Sequence, residues 1–113
     1  MPDLESYAVE LSLYVGTLEC ITGELVEPTP AGINLPAEYR WEIVANTKRL
    51  LDQPAATFSK DERDAILAFA AAVEKVPVDA PALAGWRWRR SRKLAGKLLP
   101  MLRSHQQGLP DSR

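Results

Sequence analysis

Residues 85–103 read GWRWRRSRKLAGKLLPMLR. This stretch decides the fold, because it can be a helix only if its cations and its leucines part onto opposite sides. At about 100° per residue they do. Trp88, Ser91, Leu94, Ala95, Leu98, Leu99 and Leu102 gather on one face, and Arg89, Arg90, Arg92, Lys93, Lys97 and Arg103 spread over the other. Pro100 is the obstacle. A proline inside a helix removes the hydrogen bond to the carbonyl four residues back, here that of Gly96. Both residues fall on the polar side, so water can satisfy that oxygen and the apolar stripe survives a bend. The stretch predicts one amphipathic helix from residue 83 or 85 to about residue 106. The wheel also separates the tryptophans. Trp88 falls at the edge of the core, while Trp86 projects among Arg90, Lys93 and Lys97. Arg87 points toward the apolar side, so either the regular helix starts after it or it reaches an acidic neighbour.

Three more helices precede this one, divided by prolines and glycines. The first spans about residues 3 to 22, with Asp3 as N-cap and Gly23 as stop signal. Leu4, Tyr7, Ala8, Leu11, Tyr14, Val15 and Leu18 form its main face. Val9, Leu13, Gly16 and Cys20 form a second strip almost opposite, a candidate seam for self-association into a homodimer. Two prolines and two glycines in TGELVEPTPAGIN predict a long irregular loop over residues 23–35. The second helix has Asn34 as N-cap and Pro36 in its first turn, and runs to about Asp52. Tyr39, Ile43, Thr47, Leu50 and Leu51 face inward, and Trp41 lies off that stripe near Glu38, Ala45 and Lys48. The third starts at SKDE, residues 59–62, a capping box in which Ser59 and Glu62 satisfy each other's backbone amides. Ala65, Ile66, Phe69, Ala72, Val73 and Val76 form its inner face, and Pro77 ends it. The expected architecture is all-α: a compact bundle of four main helices over residues 1–106, followed by a disordered tail at 107–113.

Composition narrows the class of function. With 113 residues and 46% apolar content, one core forms without disulfides. A single cysteine fits a reducing compartment, and the start MPDLE has no basic region of a signal peptide, so the expected location is cytoplasmic. The longest uncharged apolar run, residues 65–73, is too short to cross a bilayer. The formal net charge of −1 conceals a split: eight of the fourteen Lys and Arg residues lie in 86–113, and fourteen of the fifteen acids lie in 1–85. Such asymmetry marks a segment that binds a partner, or a basic helix packed beside acidic ones of the same chain.

Catalysis has little material. There is one histidine, His105, near a helix end, and Cys20 reads as a small hydrophobe. No CxxC, HExxH, Glu-x-x-His, glycine-rich phosphate loop or GxSxG occurs, so no metal and no cofactor is expected. Glu38 with Glu42, and Asp61 with Asp64, have the spacing of carboxylate pairs that hold Mg²⁺, but also that of an ordinary solvated helix face. No stretch carries a motif specific to a known family.

The expected function is therefore non-enzymatic protein binding, of the toxin-neutralising (immunity-like) or adaptor kind, by electrostatic steering and burial of aromatic anchors. The first candidate surface is Trp86 with Arg89, Arg90, Lys93 and Lys97. The second is Trp41 with Glu38, Glu42 and Lys48. The alternative is nucleic-acid binding through residues 86–103, with phosphates on the cations and a base stacked on Trp86. Binding to a membrane surface would need the apolar face that the core requires.

Overall fold

The computed structural model describes residues 4–26, 32–77, 83 and 85–109. They form four α-helices, with no strand among the described residues. Helix α1 is Leu4–Thr22, α2 is Leu35–Leu51, α3 is Lys60–Glu74 and α4 is Arg89–Gln107. A single 3-10 turn, Trp86–Trp88, leads into α4.

Local chemistry sets most boundaries. Gly23 takes a φ of 87°, the left-handed conformation that ends α1 and that side-chain-bearing residues avoid. The Asn34 side chain accepts from the Ala37 amide at 3.2 Å, and Pro36 sits in the first turn of α2. At α3 the capping box is complete: Glu62 N donates to Ser59 Oγ at 3.1 Å, and Ser59 N donates to Glu62 Oε1 at 2.8 Å. Helix α4 runs unbroken past Pro100, which is exposed, as is Gly96. The 3-10 turn resolves the problem of Arg87, since the regular helix begins only at Arg89. Helix α4 reaches Gln107, and Leu109 beyond it is partly buried against the core, so the packed chain extends past residue 106. Residues 27–31 of the first connection and residues 110–113 of the expected tail lie outside the described residues.

The four apolar stripes meet in one core built around Tyr7, Leu11, Leu18, Ile43, Leu50, Ile66, Phe69, Trp88 and Leu102. Trp88 is 1% exposed, the largest fully buried side chain among the described residues, and so is enclosed by the core and not half-covered at its edge. Cys20 is also buried, which removes it from the second strip of α1. The strip is then only Val9 and Leu13, exposed one turn apart, with Gly16 half-buried beside them. The cause is that the end of α1 is enclosed on more sides than its middle. The chain turns back there, with Leu25 N donating to Glu19 O at 3.1 Å.

Pairwise contacts give the topology. Tyr14 meets Thr47 and Thr17 meets Glu42, so α1 and α2 are antiparallel. Arginines fasten α2 to α3 at both ends. Arg40 donates to the carbonyls of Val76 at 2.9 Å and Glu74 at 2.8 Å, and Arg63 donates to Leu51 O at 3.1 Å. Each guanidinium thus satisfies orphan carbonyls at the negative end of the neighbouring helix. His105 meets Glu62 while Leu94 lies beside Ala68, so α3 and α4 are antiparallel as well. Helix α1 also packs extensively on α4, and Glu19 reaches Arg103 at 2.8 Å.

Candidate interaction surface

The first turns of α4 carry the cations that the sequence singles out. Trp86 is 78% exposed, with Arg87 Cζ lying 5.2 Å from the centre of its ring. Such a cation over an indole holds the ring in place with about 0.5–1 kcal/mol at an exposed site. The indole stays open because the 3-10 turn swings Trp88 inward and leaves Trp86 outside. Arg89, Arg90, Lys93 and Lys97 are all exposed, and none makes an ion pair among the described residues.

The remaining α4 cations are engaged within the molecule. Arg92 donates to the carbonyl oxygens of Leu83 and of Gly85, the latter at 2.7 Å, and so ties down the entry to the helix. Arg103 bridges Glu19, at 2.8 Å, and Glu24. Packing of the basic helix beside acids of the same chain therefore accounts for Arg103. It does not account for the four cations near Trp86.

Arg90, Leu94, Lys97 and Met101 succeed one another along the side of α4 that faces α3. Between this ridge and the alanines of α3 runs a mainly apolar groove of about 270 Å³, bordered by Ala65, Ala68, Leu94 and Met101. Lys97 stands on its rim, and Asp61 and Glu62 close the far end.

The second candidate surface is changed by the fold. Trp41 is 65% exposed and Glu38 is exposed too. Glu42, however, is half-buried, and its Oε2 lies 3.0 Å from Thr17 Oγ1, whose single proton it shares with the Leu13 carbonyl, also at 3.0 Å. Lys48 is paired with Asp52 at 2.7 Å. One oxygen of Glu42 thus faces α1, so the fully exposed members of this surface are Trp41, Glu38 and Lys48.

No protein family, curated protein or solved structure in the comparisons matches this chain.

One polar cluster is not legible in the sequence. His105 Nε2 lies 3.1 and 3.2 Å from the two Glu62 oxygens, and its ring packs against Phe58 at 4.5 Å between centroids. Phe58 in turn meets the edge of Tyr7. The Glu62 carboxyl is held below its ordinary value, chiefly by the Ser59 amide; partial burial acts the other way, and His105 adds a further lowering. Burial raises the Tyr7 phenol, and the negative charge of Glu62 raises it further. The cluster joins the first turn of α3 to the last turns of α4. Its one signal in the sequence is the capping glutamate, because His105 stands 43 positions away. Among the described residues, no three His, Cys, Asp or Glu side chains gather to hold a metal ion, and no helix is long and apolar enough to cross a membrane.

Proposed function

We propose that this chain is a non-enzymatic adaptor that binds an acidic partner protein through the first turns of α4, with Trp86 as the anchor. The observation that carries the proposal is the division of labour among the cations. Arg92 and Arg103 are engaged internally, while Arg89, Arg90, Lys93 and Lys97 are exposed around an open indole with no acid among the described residues paired to them. Like charges on adjacent turns repel, and an acidic partner relieves that repulsion. Trp and Arg are also the residues that most often dominate binding energy once desolvated. The toxin-neutralising form has less behind it, because a basic toxin needs an acidic surface at Trp41, where Glu42 is half-buried and Asp52 is already paired with Lys48. A cytoplasmic location belongs to the same proposal and rests on the single, buried cysteine.

One further reading uses the same observation: an exposed indole among cations also suits single-stranded nucleic acid. Affinity purification from cell extract, with and without nuclease, separates the two. Protein binding predicts a stoichiometric protein that survives nuclease and is lost with Trp86→Ala or Lys93→Glu/Lys97→Glu. Recovery of nucleic acid instead, with submicromolar binding to labelled strands that weakens steeply with salt, replaces the adaptor with a nucleic-acid binder.

A further inference from the structure

The groove between α3 and α4 has walls of unequal size. Methionine and leucine side chains rise from α4, while Ala65 and Ala68 on α3 leave a channel open along its length. We propose that this groove receives an amphipathic acidic helix of the partner protein; the inference rests on the adaptor function proposed above.

Three observations select that occupant. The groove is bordered mainly by apolar side chains, and at about 270 Å³ it exceeds the roughly 150 Å³ apolar cavity that accommodates a benzene ring. It therefore has room for two apolar side chains one turn apart, the spacing that a helix presents at i and i+4. Its rim on the α4 side is basic, because Lys97 borders it and Arg90 continues the same ridge, with Lys93 exposed alongside. Carboxylates flanking the apolar positions of an incoming helix would meet those cations. The trough also runs between two antiparallel helices, so a third helix seats against them by ordinary ridge-into-groove packing. With no strand among the described residues, there is no sheet edge there for an extended peptide to join.

The groove between α2 and α3, bordered by Val44, Leu67 and Ala70, is of similar size but differently charged. Its cations are already engaged, Lys48 by Asp52 and Arg63 by the Leu51 carbonyl. The charge that remains on its border is the exposed Glu74 carboxylate, which would repel an acidic helix.

The test uses the full chain and a synthetic stapled helical peptide with leucines at i and i+4 and glutamates on either side. A control of the same composition is scrambled so that the leucines share no face. Fluorescence anisotropy gives the affinity, and amide chemical shifts give the location. The patterned peptide is expected to bind at least about ten-fold tighter than the control, with shifts centred on Ala65, Ala68, Leu94 and Met101. Ala68→Arg projects into the channel from an exposed position, so circular dichroism should match wild type while the affinity falls about ten-fold or more. Lys93→Glu/Lys97→Glu should weaken binding as much.

Equal binding of patterned and scrambled peptides overturns the proposal. So does indifference to Ala68→Arg, or a shift map centred on Val44 and Leu67. The partner purified by affinity then separates this failure from that of the adaptor. If Trp86→Ala abolishes its capture and Ala68→Arg does not, the groove is wrong and protein binding stands. If no protein survives nuclease, the adaptor itself is wrong.

Discussion

Tyr14 and Thr47 form a hydrogen bond between buried side chains, at 2.8 Å. Its proton can be assigned. Thr47 Oγ1 lies 2.7 Å from the Ile43 carbonyl four residues back, which can only accept, so the threonine donates its single proton there. Tyr14 must then donate to Thr47. Burial pushes the Tyr14 phenol far above its ordinary value, so the donor keeps its proton over the whole working pH range. Thr47→Val should leave the phenol buried and unpaired, at a cost of about 1–3 kcal/mol in urea denaturation. Adding Tyr14→Phe should restore much of that loss, because a pair of apolar groups of the same shape strands nothing. If the double variant is as unstable as the sum of the singles, this hydrogen bond is not what holds the pair. Both residues are placed in core stripes by sequence periodicity alone. Their contact is not, because periodicity gives a direction from a helix axis but neither the depth nor the facing residue. Trp88 shows the same limit, since the wheel puts it at an edge and the fold encloses it in the core.

At the scale of the helix, ends divide into two kinds. Some are set by chemistry within three or four residues, as at Asn34, Ser59, Gly23 and Pro77, and these are legible in the sequence. Others are completed from a distant helix, as where Arg40 caps α3, Arg63 caps α2 and His105 adds to the box at Ser59. Those depend on which helices are antiparallel, information that no local window contains. Glu62 belongs to both kinds, and its titration makes the difference measurable. Its folded value lies below its ordinary value, so the stability it contributes is complete above about 4.5, the ordinary value, and is lost as pH falls through the folded one. Glu62→Gln preserves the shape of the capping box but removes the charge. The variant should have a lower denaturation midpoint than wild type at pH 7, and the two should converge in acid. Curves that stay parallel down to the acid limit would show that the charge on Glu62 contributes nothing to the box or to His105.

The whole molecule turns a separation of charge along the chain into a separation in space, but only in part. The sequence shows which cations of residues 86–103 avoid the core; it cannot show which of them find acids. Arg103 finds Glu19 and Glu24, 84 and 79 positions away, across the contact of α1 with α4. Arg92 turns back onto carbonyls at the start of its own helix. Only with these two assigned does the free basic surface contract to Arg89, Arg90, Lys93 and Lys97 around Trp86. This surface lies toward the end of the bundle where α3 terminates, and the acids Asp61 and Glu62 mark the opposite end of the groove beside it. An acidic partner is therefore attracted at one end of the groove and repelled at the other, which orients it before contact. Steering of that kind acts over the Debye length, which contracts from about 10 Å at 0.1 M salt to about 3 Å at 1 M. Contacts already formed in the groove are short-ranged and largely apolar, so salt weakens them far less. Stopped-flow measurement with the purified partner should show an association rate that falls about ten-fold or more over that range, while the dissociation rate changes much less. Lys93→Glu/Lys97→Glu should flatten the association curve, and Ala68→Arg should raise the dissociation rate by filling the channel. A salt effect confined to dissociation would mean that the four cations act as contact residues inside the interface, not as the field that brings the partner to it.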